Sequence, residues 1–314
     1  MRDPGKIVNL TASVHQKLLN WARAHHAVFD LVLQRYAAER FLYRLGVSGE
    51  VDRFTLKGAS LFLVWSGSEF RTTHDVDLLG TGAQSLLAIR QAMAAICTIE
   101  DTFDCLTFDP SRIRVEDIRH DQSYGGVRVK IEARLGKARI SLQIDIGFGD
   151  TIHPSREQAE YPTLLDHAAP RIWIYPRETA IAEKFEAMVS LGASNSRMKD
   201  FWDVVALSQE FEFDGQMLRT AICETFRTRG MPIAKVAPEA LRPAFYQDEK
   251  RVEMWRAFRQ KSGLQLDVPA AFAAVGERVI AFLGPVWDSL SGGGEFARFW
   301  GKGGPWATGY GQGG

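Results

Sequence analysis

The sequence contains few cysteines, and their spacing excludes two kinds of site. Cys97, Cys105 and Cys223 are an odd number of widely separated thiols. They lack the Cys-x-x-Cys spacing of zinc and redox sites, and so sparse a set does not form a disulfide framework. We therefore expect reduced, buried thiols and no metal held by cysteine.

Long apolar runs are also missing. The longest uninterrupted apolar stretches, such as 280–283, are far shorter than the roughly 20 residues that cross a bilayer. The N-terminus has charged residues but no apolar segment behind them, so it does not predict a secretory signal. We expect a cytoplasmic protein with no membrane partner.

Neither sign of charge is in excess, because 38 Lys and Arg residues balance 38 Asp and Glu residues. Binding of a nucleic acid would therefore need a local basic surface. Segment 219–261 has ten basic and five acidic residues. Its interleaved aromatic residues are Phe226, Phe245, Tyr246, Trp255 and Phe258. Cations with stacking rings are typical of a surface that grips an RNA end, whereas a helical bundle with an ordinary solvated basic face is the alternative.

Hydrophobic periodicity predicts a helical start followed by a sheet. Apolar residues recur at helical spacing from Thr11 to about Leu45, which predicts one long or two successive helices. Segments 127–133 and 140–146 alternate with period two and predict an antiparallel pair joined near Gly136 and Lys137. Short strands are expected at 54–58 and 75–79.

Beyond Pro170 the strand signals fade. Helical segments are predicted at about 177–191, 198–209, 216–228, 250–261 and 268–283. The fold class is therefore α+β, with N-terminal helices, a mixed β-sheet and a helical C-terminal domain. We divide the chain into a core domain (1–170), a helical domain (171–291) and a glycine-rich tail (292–314), which is expected to be flexible.

Three carboxylates are candidates for a metal site. Side chains two apart on a strand point to the same face, so Asp75 and Asp77 present both acids together. Asp145 lies in an otherwise apolar strand, where an unpaired charge would be costly. Three carboxylates converging on Mg²⁺ or Mn²⁺ would compensate one another, and such a site serves phosphoryl or nucleotidyl transfer. A solvated strand end is the alternative for a lone Asp-x-Asp pair.

The residues upstream of this pair favour a phosphate site. The turn Lys57-Gly58-Ala59-Ser60 joins a predicted strand to a predicted helix, where backbone N–H groups can cradle a triphosphate. Ser68, Arg71 and Thr73 add hydroxyls and a guanidinium that can contact phosphates.

These residues carry a family resemblance. Lys57-Gly58-Ala59-Ser60-Leu61, followed by Arg71-x-Thr73-x-Asp75-x-Asp77-Leu78, resembles the pattern of the AbiEii/AbiGii toxin family within the polymerase-β-like nucleotidyltransferase superfamily. Two downstream motifs match as well, which are Arg177-Glu178-Thr179-x-x-Ala182-Glu183-Lys184-x-x-Ala187 and Arg197-x-Lys199-Asp200-x-x-Asp203. The resemblance covers about Phe54 to Leu207.

The resemblance implies a function and a role for each matching residue. Asp75 and Asp77 would bind the metal with Asp145 as the third acid, Lys184 would contact the phosphates of a nucleoside triphosphate, and Asp200 or Asp203 would complete the site. The core domain would be the nucleotidyltransferase core, and the helical domain would complete its cleft. Without the family pattern, Lys184 would be a solvated lysine, and Arg197 to Asp203 an ion-paired helix start.

The family also implies the biology. Such a protein would be the toxin of a type IV toxin–antitoxin system, with its antitoxin encoded nearby. It would transfer a nucleoside monophosphate to the 3′ end of tRNA and block translation. A transferase acting on a small molecule of the antibiotic type, and a catalytically idle nucleotide-binding module, are the alternatives.

Overall fold

The structure is a computed structural model that describes residues 4–67, 75–118, 125–261 and 268–309. These residues fall into two compact units. Unit 1 contains the residues up to 67, 75–149 and 157–174, and unit 2 contains 150–156 and 175–309. The passage from unit 1 to unit 2 after Ile174 lies close to the boundary expected at 170, but the short segment 150–156 also belongs to unit 2.

Unit 1 is an α+β unit. Its helices are α1 (Pro4–Ala24), α2 (Phe29–Gly46), α3 (Leu61–Ser66) and α4 (Leu86–Cys97). Its strands are β1 (Phe54–Lys57), β2 (Asp75–Gly80), β3 (Leu106–Phe108), β4 (Arg114–Ile118), β5 (Gly126–Leu135), β6 (Ala138–Phe148), β7 (Glu157–Glu160) and β8 (Arg171–Ile174). The predicted α+β class with N-terminal helices and a mixed sheet is confirmed.

The eight strands form one mixed sheet in the order β3-β5-β6-β2-β1-β8-β7, with β4 also paired to β5. Strands β2 and β6 are parallel, as are β1 and β8, while β1 and β2 run antiparallel. The predicted hairpin is present as β5 and β6, whose last pair is Leu135 with Ala138. Gly136 has a φ of 59°, which a residue without Cβ adopts at no steric cost.

The hairpin has one apolar and one polar face because its side chains alternate. Val127, Val129 and Ile131 on β5 are at most 4% exposed, and Ile144 and Ile146 on β6 are at most 1% exposed. The residues between them are half-buried or exposed. The apolar face therefore belongs to the core, and the opposite face is left for charged residues.

Helix α2 carries a buried ion cluster. Arg40 and Arg44 lie one helical turn apart, and both guanidinium groups donate to Asp104. Arg40 Nε is 3.1 Å from Asp104 Oδ2, and Arg44 Nη1 is 2.6 Å from the same atom. The three side chains are at most 1% exposed. The cluster fixes the segment before β3 to α2 through charge-assisted hydrogen bonds.

Glu39 lies beside this cluster and is also buried. Its Oε2 accepts a hydrogen bond of 2.7 Å from the backbone N–H of Leu164, while Oε1 has no hydrogen-bond partner among the described residues. Burial raises the pKa of Glu39 to about 7. The native state therefore holds a proton on Glu39 at pH values where the unfolded chain has lost it.

This proton gives a stability prediction. Between about pH 4.5 and 7 the native state binds more protons than the unfolded state, so the free energy of unfolding should fall as pH rises through that window. Glu39→Gln should remove up to about 3 kcal/mol of that decline. Urea unfolding at pH 5 and pH 8 measures the effect, with the exposed Glu157→Gln as control. An unchanged pH dependence in Glu39→Gln would contradict the account.

Unit 2 is mainly helical, as predicted. Its helices are α5 (Arg177–Leu191), α6 (Met198–Glu210), α7 (Gly215–Thr228), α8 (Glu249–Lys261) and α9 (Phe272–Gly292). The first four agree with the predicted segments to within one residue, whereas α9 begins later and continues through Pro285. Phe185, Phe226 and Trp287 pack together in its core with ring centroids 5.7–5.8 Å apart. No helix in the described part of the chain is long and apolar enough to span a membrane.

The glycine-rich segment after α9 differs from the flexible tail that its composition predicts. Strands β10 (Arg298–Trp300) and β11 (Trp306–Thr308) join β9 (Phe213–Asp214) in a small sheet. The indole N–H of Trp300 donates to the Ser208 carbonyl at 2.7 Å, and that of Trp306 donates to the Phe282 carbonyl at 2.8 Å. The tryptophans therefore offset the ordering entropy of the glycines over 293–309.

Candidate active site

Strand β2 presents the predicted acid pair. Asp75 and Asp77 are half-buried and alternate with Val76 and Leu78, which are 2% and 0% exposed. The alternation places both carboxylates on one face of the sheet and the apolar side chains on the other. This is the arrangement that the spacing predicts.

A row of charged residues crosses the sheet at Asp77. Lys57 on β1 pairs with Asp77, Asp77 pairs with Asp145 on β6, and Asp145 pairs with Arg128 on β5. Residues paired across neighbouring strands lie on the same face. Arg128 in turn pairs with Glu116 on β4, so the row consists of a cation, two acids, a cation and an acid in that order.

Asp145 lies where a third acid is expected, but its carboxylate is engaged. Arg128 Nε donates to Oδ1 at 2.8 Å, and Arg128 Nη2 donates to Oδ2 at 2.7 Å. Gln143 also points toward Oδ2, at 3.5 Å. Over the described ranges, no three His, Cys, Asp or Glu residues are arranged to hold a metal ion.

The two carboxylates of β2 nevertheless fit a magnesium site in which the substrate supplies some of the ligands. Mg²⁺ is commonly bound by one or two carboxylates, with water and substrate phosphates in its remaining positions. Asp75 and Asp77 supply two carboxylates on one face. A third contribution from Asp145 would require its bidentate contact with Arg128 to open or be shared.

The turn after β1 packs tightly against Asp77, the second acid of the pair. Gly58 has a φ of 76°, and a Cβ at this position would lie 2.1 Å from Asp77 Oδ2. Ala59 and Ser60 are each 7% exposed and lead into α3. The predicted strand, turn and helix are present, and the lack of a Cβ on Gly58 lets the backbone approach Asp77 closely. Ser68, Arg71 and Thr73, predicted to bind phosphates, lie outside the described residues.

A second group of predicted residues lies in unit 2. Lys184 on α5 is 2.5 Å from Asp203 Oδ2 and 3.6 Å from Asp200 Oδ1, measured from Nζ. Both acids lie on α6 and are at most 1% exposed. Arg197 Nε donates to Asp200 Oδ2 at 2.6 Å. The structure thus brings Lys184, Asp200 and Asp203 together, with the lysine as the cation between two buried acids.

Removing this cation should destabilise unit 2. Lys184→Met removes the ammonium group that contacts both buried acids, and breaking a buried ion pair from one side is costly. We expect a lower unfolding temperature for Lys184→Met, and partial recovery in Lys184→Met/Asp203→Asn because one acid has been neutralised. Calorimetry of the wild type, Lys184→Met, Asp203→Asn and the double variant forms a double-mutant cycle that measures this interaction. A Lys184→Met protein as stable as the wild type would refute this account of the cluster.

Sequence reasoning assigned no role to Arg128, although a signal was available. The predicted hairpin turn at Gly136 and Lys137 sets the register of β5 and β6, and counting outward from it places residue 128 opposite residue 145. An arginine opposite a lone acid in an apolar strand predicts an ion pair. The position of the hairpin turn therefore predicts the contact between Arg128 and Asp145.

Comparison with known protein families shows which class of protein this chain belongs to. The family model described as "Nucleotidyl transferase AbiEii toxin, Type IV TA system" matches residues 40–278, well over half of the chain. The chain belongs to the AbiEii family. As an AbiEii protein it is a nucleotidyltransferase, and the predicted family and enzyme class are confirmed.

Other comparisons place fewer constraints on this AbiEii protein. No curated protein matches it. Two solved structures from Helicobacter pylori are similar to 81% of the chain, each with a TM-score of 0.44. One is JHP933, at 14% identity with 90% of its own chain covered. The other, provisionally described as a nucleotidyltransferase, is 15% identical with 92% of its chain covered.

Proposed function

We propose that this AbiEii protein transfers a nucleoside monophosphate from a nucleoside triphosphate to the 3′ end of tRNA, with Mg²⁺ or Mn²⁺ bound at Asp75 and Asp77. The observation that carries the proposal is the acid pair on one face of β2, with Asp77 packed against the Gly58 turn. Nucleotidyl transfer needs such an arrangement because the charge of the phosphates must be offset where the bond is exchanged.

The proposed reaction is an in-line exchange at the α-phosphorus. An acceptor hydroxyl forms the new P–O bond, the bond to pyrophosphate breaks, and the hydroxyl proton passes to a base. When bound, the metal ion would offset the negative charge of the phosphates. Asp75 and Asp77 would hold it, with Asp145 as the candidate third ligand, and Gly58 allows the backbone to lie against Asp77.

The remaining roles rest on the family pattern. Lys57, Ala59 and Ser60 beside Gly58, together with Ser68, Arg71 and Thr73, are proposed to bind the triphosphate. Lys184 is proposed to contact its phosphates. Asp200 or Asp203 is proposed to complete the site, and their contact with Lys184 supports a shared role.

Unpaired basic residues support RNA as the acceptor. Lys250, Arg256 and Lys261 on α8 are exposed and have no ion-pair partner among the described residues. Most of the stacking surface expected from the same segment is not available, because Phe226, Phe245, Tyr246 and Trp255 are at most 5% exposed and Phe258 is half-buried. We therefore expect RNA to be bound mainly through its phosphates, which makes affinity depend strongly on salt.

Membership of the family supports a proposed biological role. A type IV toxin implies an antitoxin partner and a cytosolic target, and modification of the acceptor end of tRNA would stop aminoacylation and therefore translation.

The test is incubation of the purified protein with total tRNA, Mg²⁺ and each labelled nucleoside triphosphate in turn. Asp75→Ala/Asp77→Ala is the control.

Label on tRNA with the wild type alone would support the proposal and identify the preferred base. Absence of label on tRNA, while a small-molecule fraction becomes labelled, would replace it with a transferase of the antibiotic-modifying type. Nucleotide binding without label on any acceptor would indicate an idle binding module.

A further inference from the structure

Arg128 is the cation nearest to the candidate third acid, and it lies outside every motif of the family pattern. Two donors of its guanidinium, Nε and Nη2, meet the two oxygens of Asp145 at 2.8 and 2.7 Å. This parallel, bidentate geometry is the strongest form of an arginine–carboxylate contact. The pair lies within the charged row, since Asp145 is also the register partner of Asp77.

The pair is accessible and retains unused donors. The side chains of Arg128 and Asp145 are 34% and 21% exposed, so both can be reached by a ligand. Among the described residues, the Arg128 guanidinium donates to Asp145 alone. The two N–H groups of Nη1 are therefore not used by this contact. Asp75 and Glu116 add to the negative field around the guanidinium.

A guanidinium binds carboxylate and phosphate through the same fork of donors. Asp145 can therefore lose Arg128 to a more highly charged anion that arrives at the acid pair, and a nucleoside triphosphate is such an anion. Without that anion, a metal ion must compete with Arg128 for Asp145 and is left with Asp75 and Asp77.

We propose that Arg128 withholds Asp145 from the metal until the triphosphate of a bound nucleotide attracts the guanidinium away. This inference rests on the proposed function, because it takes the nucleotide to bind at Asp75 and Asp77. Arg128 is then a positioning residue that couples nucleotide binding to completion of the metal site. The coupling prevents a fully liganded metal from forming in the absence of substrate.

The first part of the proposal is that Arg128 withholds Asp145 from the metal. It is tested by Mn²⁺ binding to the nucleotide-free protein, measured by electron paramagnetic resonance. Arg128→Met keeps the apolar stem and removes the cation, so Asp145 becomes available and Mn²⁺ should bind about tenfold more tightly. Arg128→Met/Asp145→Asn replaces a neutral ion pair by two neutral side chains and should bind Mn²⁺ as the wild type does. Arg114→Met is the matched control, because Arg114 is exposed on the same face, in the row of Asp75.

Two results would overturn the proposal. A double variant that binds Mn²⁺ much more weakly than the wild type would mean that Asp145 already ligates the metal beside Arg128. If Arg128→Met gains no more Mn²⁺ affinity than Arg114→Met, then Arg128 affects the metal only through the long-range electrostatic effect of its charge.

The second part of the proposal is that a bound triphosphate attracts Arg128 away from Asp145. A non-hydrolysable nucleoside triphosphate tests it. It should tighten Mn²⁺ binding by a larger factor in the wild type than in Arg128→Met, where Asp145 is already free. Equal factors in the two proteins would refute the coupling. Neither titration contains an acceptor, so a failure to label tRNA and a failure of this proposal are separate results.

Discussion

Gly58→Ala should reduce nucleotidyl transfer by about 100-fold or more, because catalysis depends on reacting groups held to within an ångström. The added Cβ would lie 2.1 Å from Asp77 Oδ2 and 2.8 Å from its Cγ, so the carboxylate must move. The φ of 76° adds backbone strain for any residue with a Cβ. The initial rate of label transfer at saturating nucleotide measures the loss.

Gly82→Ala separates the two causes. Gly82 has a φ of 78° but no atom within 4 Å of its hypothetical Cβ, so this variant has the strain without the clash. Rates are compared below the unfolding temperature of both variants, as judged by circular dichroism. A folded Gly58→Ala protein with the rate of Gly82→Ala would show that the close approach to Asp77 has no catalytic importance.

Asp104→Asn should lower the free energy of unfolding by about 3–5 kcal/mol, the usual cost of breaking a buried ion pair from one side. Asp104 is the common acceptor for Arg40 and Arg44, and all three side chains are buried. The amide keeps the shape of the carboxylate but leaves the two guanidinium groups without its charge. Urea denaturation followed by tryptophan fluorescence measures the difference.

Asp117→Asn is the control for this change. Asp117 is exposed on β4 and forms no ion pair among the described residues, so its replacement should leave stability unchanged. Similar midpoints for Asp104→Asn and the wild type would contradict the account of the α2 cluster. They would show that water or neighbouring groups compensate for the lost charge.

Local patterns predicted the parts of the fold that depend on local chemistry. The alternation in β5 and β6 predicted a hairpin, and the Asp-x-Asp spacing predicted two acids on one face of β2. The helices of unit 2 follow from apolar periodicity alone. Each of these features is encoded within about 20 neighbouring residues.

Features that join distant segments could not be predicted in the same way. Arg40 and Arg44 contact Asp104 about 60 positions away, and nothing near Asp104 distinguishes it from a surface acid. The short edge strand β7 has the sequence Glu-Gln-Ala-Glu, which lacks the apolar alternation of a half-buried strand. Its pairing with β8 depends on the rest of the sheet.

Composition was misleading after residue 292 for a physical reason. Glycine content predicts the entropy that ordering costs, but it does not include the packing of the buried Trp300 and the half-buried Trp306 against partners that come earlier in the chain. Both indole N–H groups find backbone carbonyls, so the rings can be buried without an unsatisfied donor.

Pyrophosphate release is the direct test of the acid pair on β2 as the reaction centre. The wild type, Asp77→Asn and Asp117→Asn are incubated with Mg²⁺, the preferred triphosphate and tRNA, and pyrophosphate and acceptor-bound nucleotide are measured together. We predict equimolar amounts of both products from the wild type and Asp117→Asn, and neither product from Asp77→Asn. Undiminished release by a folded Asp77→Asn protein would show that the chemistry takes place elsewhere.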